Sequence, residues 1–245
     1  MEQVVLPDTV TQLERNAFYN CSSLVELTLS ASLETIGSNA FQNCKSLTEV
    51  ILPEGLKCIE AYAFSGCSGI TEIELPDGLE TVGNSAFSGT AITELEFPDS
   101  VTSASLDGLK EQLTHVRWTA GIPVLSGSVF QDCVNLKSVV LPEGVTEIAD
   151  AEYYYQEFLG GYNVYIYAPF MDCIALESVK IPNSLTKIGD RAFENCHKLH
   201  EQQWINVLAK FDIKEWVEYE GEGPVLYIEK LEPASAPEKQ VIDVR

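Results

Sequence analysis

Six of the seven cysteines in this 245-residue chain recur at one phase of a longer pattern: Cys21, Cys44, Cys67, Cys133, Cys173 and Cys196. Each stands three residues after a phenylalanine and three before an aliphatic residue. Thiols can act as nucleophiles, metal ligands or disulfide partners, but this placement points to packing. A buried cysteine behaves as a small hydrophobe with a weak donor, which suits a narrow column between stacked coils. Coils spaced like sheet strands, ~4.8 Å apart, fall within disulfide reach, yet parallel side chains do not face each other, so free thiols are expected. Cys58 differs. It shares a column with Gln12, Thr35, Thr81 and Lys187 and reads as the exposed, reactive thiol. Cys196-His197-x-x-His200 has passable zinc spacing, but Cys196 already belongs to the core column. There is no Gly-rich phosphate loop, no Gly-x-Ser-x-Gly and no Cys-x-x-Cys. No catalytic, cofactor-binding or metal-ligating residue is therefore assigned, and no enzyme is expected.

Carboxylates form a second constellation. One repeat column runs Gln3, Glu26, Glu49, Glu72, Glu94, His115, Ser138, Ser178; another runs Val5, Thr28, Ile51, Glu74, Glu96, Arg117, Val140, Lys180. If each coil supplies a short strand, these residues point outward from the same face. Unit charges near 5 Å repel by roughly 1 kcal/mol in water, and like charges opposite one another on strands are unfavourable. Glu26, Glu49, Glu72, Glu74, Glu94 and Glu96 therefore form a candidate site for a basic peptide or a weak calcium site. The alternative is a solvated face with no ligand.

A third constellation is aromatic. Pro142 to Phe170 spans 28 positions where other coils use 11, leaving 17 extra residues. The segment Ala151–Tyr167 holds six of the ten tyrosines: Tyr153, Tyr154, Tyr155, Tyr162, Tyr165 and Tyr167, with Phe158 among them. Gly160-Gly161 between two β-prone runs predicts a hairpin. Tyrosine presents a large surface and a hydroxyl at low rotamer cost, a composition favoured at interfaces. The hairpin either binds a partner or folds back over its own coil.

The elements that must position these groups are coils of a repeat. Phe18, Phe41, Phe64 and Phe87 are each 23 residues apart, and such a period marks a solenoid. A two-residue alternation, as in Ile73-Glu74-Leu75, predicts a strand in each coil. Pro7, Pro53, Pro76, Pro98, Pro142 and Pro182 then end it. Aliphatic columns follow, glycine often marks a tight turn, and Ala-Phe-x-x-Cys-x-x-Leu has spacings suited to a short helical turn. The fifth coil is degraded: Leu109 replaces the phenylalanine and Gln112 falls in the cysteine column.

Composition limits the partners. The chain is 45% hydrophobic and 21% charged, enough for a substantial core. Its 37 acidic against 15 basic residues give a formal charge of −22, a field that repels phosphate backbones, so no nucleic acid partner is expected. No run approaches the ~18–20 apolar residues that span a bilayer, so no transmembrane segment is expected. No signal peptide is visible at Met1–Pro7, where the repeat is already under way; a trimmed fragment is expected, and a cytoplasmic protein would read the same.

From Val4 to Leu199 the joint pattern of Pro, Ile-Gly, Ala-Phe, Cys and Leu columns resembles the BspA-like leucine-rich repeat family, the 23-residue class also found in Treponema-type repeats. Val179-Lys180-Ile181-Pro182 through Ile188-Gly189, Ala192-Phe193, Cys196 and Leu199 carry it in one coil. The resemblance implies an α/β repeat solenoid, a right-handed superhelix with a parallel sheet on its concave face and short helical turns. About eight coils would fill residues 1–199, with the insertion near 151–167, and residues 200–245 would form a cap and tail. Trp204, Val207, Leu208 and Phe211 have the spacing of an amphipathic capping helix, and Gly221-Glu222-Gly223-Pro224 sits between two β-prone runs. The family further implies a non-enzymatic protein-binding or adhesion module of a bacterial surface or secreted protein, with a protein, peptide or glycan as partner. The alternative is an architectural spacer or fragment whose functional domain lies elsewhere.

Overall fold

The computed structural model describes residues 2–118, 123–158, 161–189 and 191–199. The expected capping helix, the hairpin around Gly221–Pro224, the tail and His200 lie outside these residues. The chain forms two compact units, Met1–Gly121 and Ile122–Arg245.

The first unit carries β1 (Gln3–Val5), β2 (Gln12–Leu13), β3 (Glu26–Thr28), β4 (Thr35–Ile36), β5 (Cys58–Ile59), β6 (Thr81–Val82), β7 (Glu94–Phe97), β8 (Ser103–Ala104) and β9 (His115–Trp118). Strands β2, β4, β5, β6 and β8 pair in parallel, and equivalent residues align: Leu13, Ile36, Ile59, Val82 and Ala104 stack in register. The other strand series is shorter. β1 pairs β3 and β7 pairs β9, both in parallel, while residues 48–52 and 71–75 lie outside strands. Those two segments carry Glu49, Glu72 and Glu74. Stacked like charges oppose close pairing there.

The second unit carries β10 (Val124–Leu125), β11 (Ser138–Val140), β12 (Glu147–Ile148), β13 (Glu152–Phe158), β14 (Gly161–Tyr167), β15 (Ser178–Lys180) and β16 (Lys187–Ile188). Parallel pairing joins β10, β12 and β16 in one sheet and β11 to β15 in another; β13 and β14 form an antiparallel pair of their own.

Like stacks on like in both cores. Phe18, Phe41, Phe64 and Phe87 lie in stacked pairs with centroids 5.3–5.8 Å apart, as do Phe130, Phe170 and Phe193 at 4.6–4.9 Å. In the degraded coil the aromatic contact moves to the strand ends, where Phe97 and the buried Trp118 meet at 4.7 Å. At Gly37 and Gly83 glycine serves close approach rather than an unusual dihedral. A Cβ on Gly37 would sit 2.5 Å from the Leu13 carbonyl oxygen, and one on Gly83 would sit 2.5 Å from the Ala61 nitrogen.

The expected short helical turns are not formed: no helix occurs among the described residues. Ala-Phe-x-x-Cys instead runs through consecutive turns, with alternating hydrogen-bond directions. Ala17, Tyr19 and Cys21 donate locally to Glu14, Asn16 and Phe18, whereas Asn16, Phe18 and Asn20 donate to Ser38, Ala40 and Gln42 of the next coil. A helix would consume every donor internally. Left-handed residues reset the chain twice in each of the first four coils, as at Asn16 (φ 63°) and Asn20 (φ 60°), positions where asparagine is at little disadvantage.

The same geometry explains the cysteines. All seven are free, and Cys44, Cys67, Cys133, Cys173 and Cys196 are buried, with Cys21 half-buried. The Cys67 thiol donates to the Phe41 carbonyl of the preceding coil at 3.0 Å, as Cys44 does to Phe18, Cys173 to Phe130 and Cys196 to Phe170. Hydrogen bonding to Cys44, followed by burial, pushes the Cys67 thiol well above its ordinary pKa. Thr90 takes the cysteine position once, its hydroxyl turning to its own coil at Phe87.

Candidate partner-binding site

The insertion forms the expected hairpin, with Gly161 already paired in its second strand. Register runs from Glu152↔Tyr167 through Tyr154↔Tyr165 to Phe158↔Gly161. Alternation divides the side chains between two faces. Tyr154, Tyr165 and Tyr167 share one with Glu152, Gln156 and Asn163; Tyr153, Tyr155, Val164 and Ile166 share the other. Both faces are open to solvent. Tyr154 and Tyr155 are each 65% exposed, Tyr153 44% and Tyr165 42%. Phe158 and Tyr162 belong to the strands by backbone, while their side chains lie outside the described positions.

Two residues root the hairpin, and neither was singled out by the sequence. The Gln131 side chain donates to the Ile166 carbonyl at 3.1 Å and accepts from the Ala168 N–H at 3.2 Å, in the manner of a strand. Arg191 donates to the Tyr153 hydroxyl at 3.0 Å and holds Glu194 with two further bonds. These contacts, to Glu194 first and Tyr153 second, push the guanidinium pKa up. Arg191 has φ 56°, at the position Asn16 and Asn39 fill in other coils. Tyr62 and Ser85 fill it elsewhere, so the column's residue types gave little signal.

The carboxylates divide into two sets. Glu94 stands 3.3 Å from the His115 Nδ1 and Glu96 3.2 Å from the Arg117 guanidinium, so each of these two glutamates has a nitrogen partner on the next strand. Glu26, Glu49, Glu72 and Glu74 are exposed and have no ion pair among the described residues. Ile51, on the same face, is 75% exposed.

On the opposite strand series, Cys58 is half-buried rather than fully exposed. It lines a shallow groove of about 360 Å³ with Glu60, Thr81, Asn84, Ser103 and Ala104. Ala104 on its lining stands where other coils place Ile36, Ile59 and Val82. No group of three His, Cys, Asp or Glu residues suited to a metal occurs among the described residues. No helix long and apolar enough to cross a membrane occurs among the described residues.

Residues 1–112, 105–159 and 165–213 match the BspA type leucine rich repeat region in six copies. Among solved structures, a leucine-rich repeat protein from Bacteroides ovatus is 28% identical with a TM-score of 0.60. The alignment covers 80% of this chain and 47% of that one, so the chain spans about half its length. A T. pallidum leucine rich repeat protein is 27% identical with a TM-score of 0.51, over 85% of this chain and 82% of that one. Among curated proteins there is no significant match.

Proposed function

Because the chain belongs to the BspA-type leucine-rich repeat family, we propose that it is a non-enzymatic protein-interaction module whose working surface is the β13–β14 hairpin. One observation carries this reading: an inserted ribbon, rooted by Gln131 and Arg191, leaves tyrosines exposed on both faces. A hairpin folded back as a cover would bury one face. An isolated two-stranded hairpin is marginal in water, and exposed aromatic ribbon is costly to keep unless it contacts something. The unpaired glutamates Glu26, Glu49, Glu72 and Glu74 form an accessory acidic surface on the first unit and favour basic partners. We place the protein at a bacterial surface or in secreted form, as the family resemblance implies. Fractionation of the native host, read with an antibody to this chain, checks the compartment.

The functional test replaces residues 152–167 with a short Gly-Ser turn and compares capture of proteins from extracellular matrix. Loss of capture with an unchanged melting profile supports the hairpin as the site. Capture that survives the deletion, or vanishes only with Glu49→Gln and Glu72→Gln, moves the site to the acidic face.

A further inference from the structure

The hairpin presents more than tyrosine rings. An antiparallel ladder alternates pairs that exchange both hydrogen bonds with pairs whose N–H and C=O groups point away. The Ile166 carbonyl accepts from Gln131 on the outer side of β14, so Tyr153↔Ile166 is an outward-pointing pair. By alternation so is Tyr155↔Val164, while Tyr154↔Tyr165 and Phe158↔Gly161 exchange bonds within the hairpin. A bond-exchanging pair at Phe158↔Gly161 also suits a two-residue connection. The outer edge of β13 therefore aims the backbone groups of Tyr153 and Tyr155 at solvent, and they have no hydrogen-bond partner among the described residues.

Proteins normally block such an edge with lysine, proline, a bulge or a covering element. β13 has seven residues with no lysine, proline or bulge, and no covering strand among the described residues. Among the described residues its only neighbour in the sheet is β14.

Resting on the hairpin as the binding site, we propose that the outer edge of β13 accepts an added β-strand, an extended arginine- or lysine-bearing segment of a partner protein paired to the backbone of Tyr153 and Tyr155. Charge selects that occupant. Residues 151–167 contain Glu152 and Glu157 and no lysine or arginine, and the chain carries −22 overall, so a second copy is repelled and a basic strand is drawn in. The chain itself displays the side-chain contact. The Arg191 guanidinium lies 5.8 Å from the Tyr153 ring centroid, within the range of cation–π attraction. An added strand with cations at alternate positions would set them against the tyrosine rings of one face in the same way, while its main chain supplies the pairing.

The test uses the full chain and an extended peptide alternating arginine with valine, read by fluorescence anisotropy at roughly 0.15 M salt. A second peptide carries N-methyl groups on alternate amides, removing edge donors while keeping every side chain and charge. The N-methylated peptide is expected to bind roughly tenfold more weakly, the loss of one to two net hydrogen bonds. Tyr155→Pro should weaken the parent peptide by a similar factor, because it removes an outward N–H and spares the internal ladder. Tyr155→Val keeps that N–H and should change affinity by no more than about threefold. Equal binding of the two peptides, lost on deletion of residues 152–167, overturns strand addition and leaves the hairpin as the site. Binding of the parent peptide that survives the deletion overturns both. Self-association through the hairpin, or binding of a neutral glucan oligosaccharide there in place of the peptide, also overturns strand addition by a basic partner.

Discussion

The Arg191 guanidinium donates to the Tyr153 hydroxyl at 3.0 Å across 38 residues of sequence, fastening the base of the hairpin to a later coil. It does so from φ 56°, where a long side chain is disfavoured and asparagine is not. Arg191→Asn should therefore separate the two roles. The backbone is relieved while the fastening is lost, so the unfolding midpoint should barely move and amide exchange in Glu152–Phe158 should accelerate. Unchanged exchange would remove Arg191 as a positioning residue.

Stacked rings predict graded costs. Phe64 is fully buried between Phe41 and Phe87, so Phe64→Ala should cost ~3–5 kcal/mol. Phe18 is half-buried and stacks on Phe41. Its truncation should cost clearly less. Urea midpoints of the two variants decide, and equal losses would contradict the stack.

Thiol accessibility should follow the columns. In native protein a disulfide reagent should titrate Cys58 and Cys21 first, both half-buried. Cys44, Cys67, Cys133, Cys173 and Cys196 should react only on unfolding, since burial protects them. Mass spectrometry of the labelled peptides reads the order.

An alkaline limb is expected in the second unit. Lys187 bonds to Glu147 and lies 3.4 Å from Asp150, and chiefly the bond to Glu147 raises its pKa. The folded pKa thus exceeds the unfolded value of about 10.4. This contribution is fully present below that value and is lost as pH rises through the folded pKa. Lys187→Met should flatten stability measured from roughly pH 8 to pH 11. Identical slopes in the two proteins would count against the ion pair.

Relieving the acidic face should stabilise the first unit. Glu49→Gln with Glu72→Gln is expected to raise the melting midpoint at low salt, with the gain shrinking as salt screens the parent. A gain that does not depend on salt would point to a cause other than charge.

The core was legible because each column repeats one environment. Leu33, Leu56, Phe41, Phe64 and Cys44 are all fully buried, as their phase predicts. Local spacing could not choose between a helical turn and consecutive turns, because that choice depends on whether Phe18 donates within its coil or to Ala40 beyond it. The hairpin was readable from a break in the ruler. Its roots were not, since Gln131 and Arg191 lie 35 and 38 residues from their contacts and neither follows a local pattern.

The alternation of donors at the phenylalanine turns bears on how such a chain can change length. Asn16, Phe18 and Asn20 reach forward to Ser38, Ala40 and Gln42 by the same bonds that Asn39, Phe41 and Asn43 make to Ala61, Ala63 and Ser65. Each joint is interchangeable with the next. A duplication or excision of one full period would rejoin matching donors and acceptors without new adaptation, so the array can grow or shrink by recombination as a whole number of periods. The ribbon between Asp150 and Ala168 has no such freedom: copied with its coil, it would arrive without a second Arg191 to hold it.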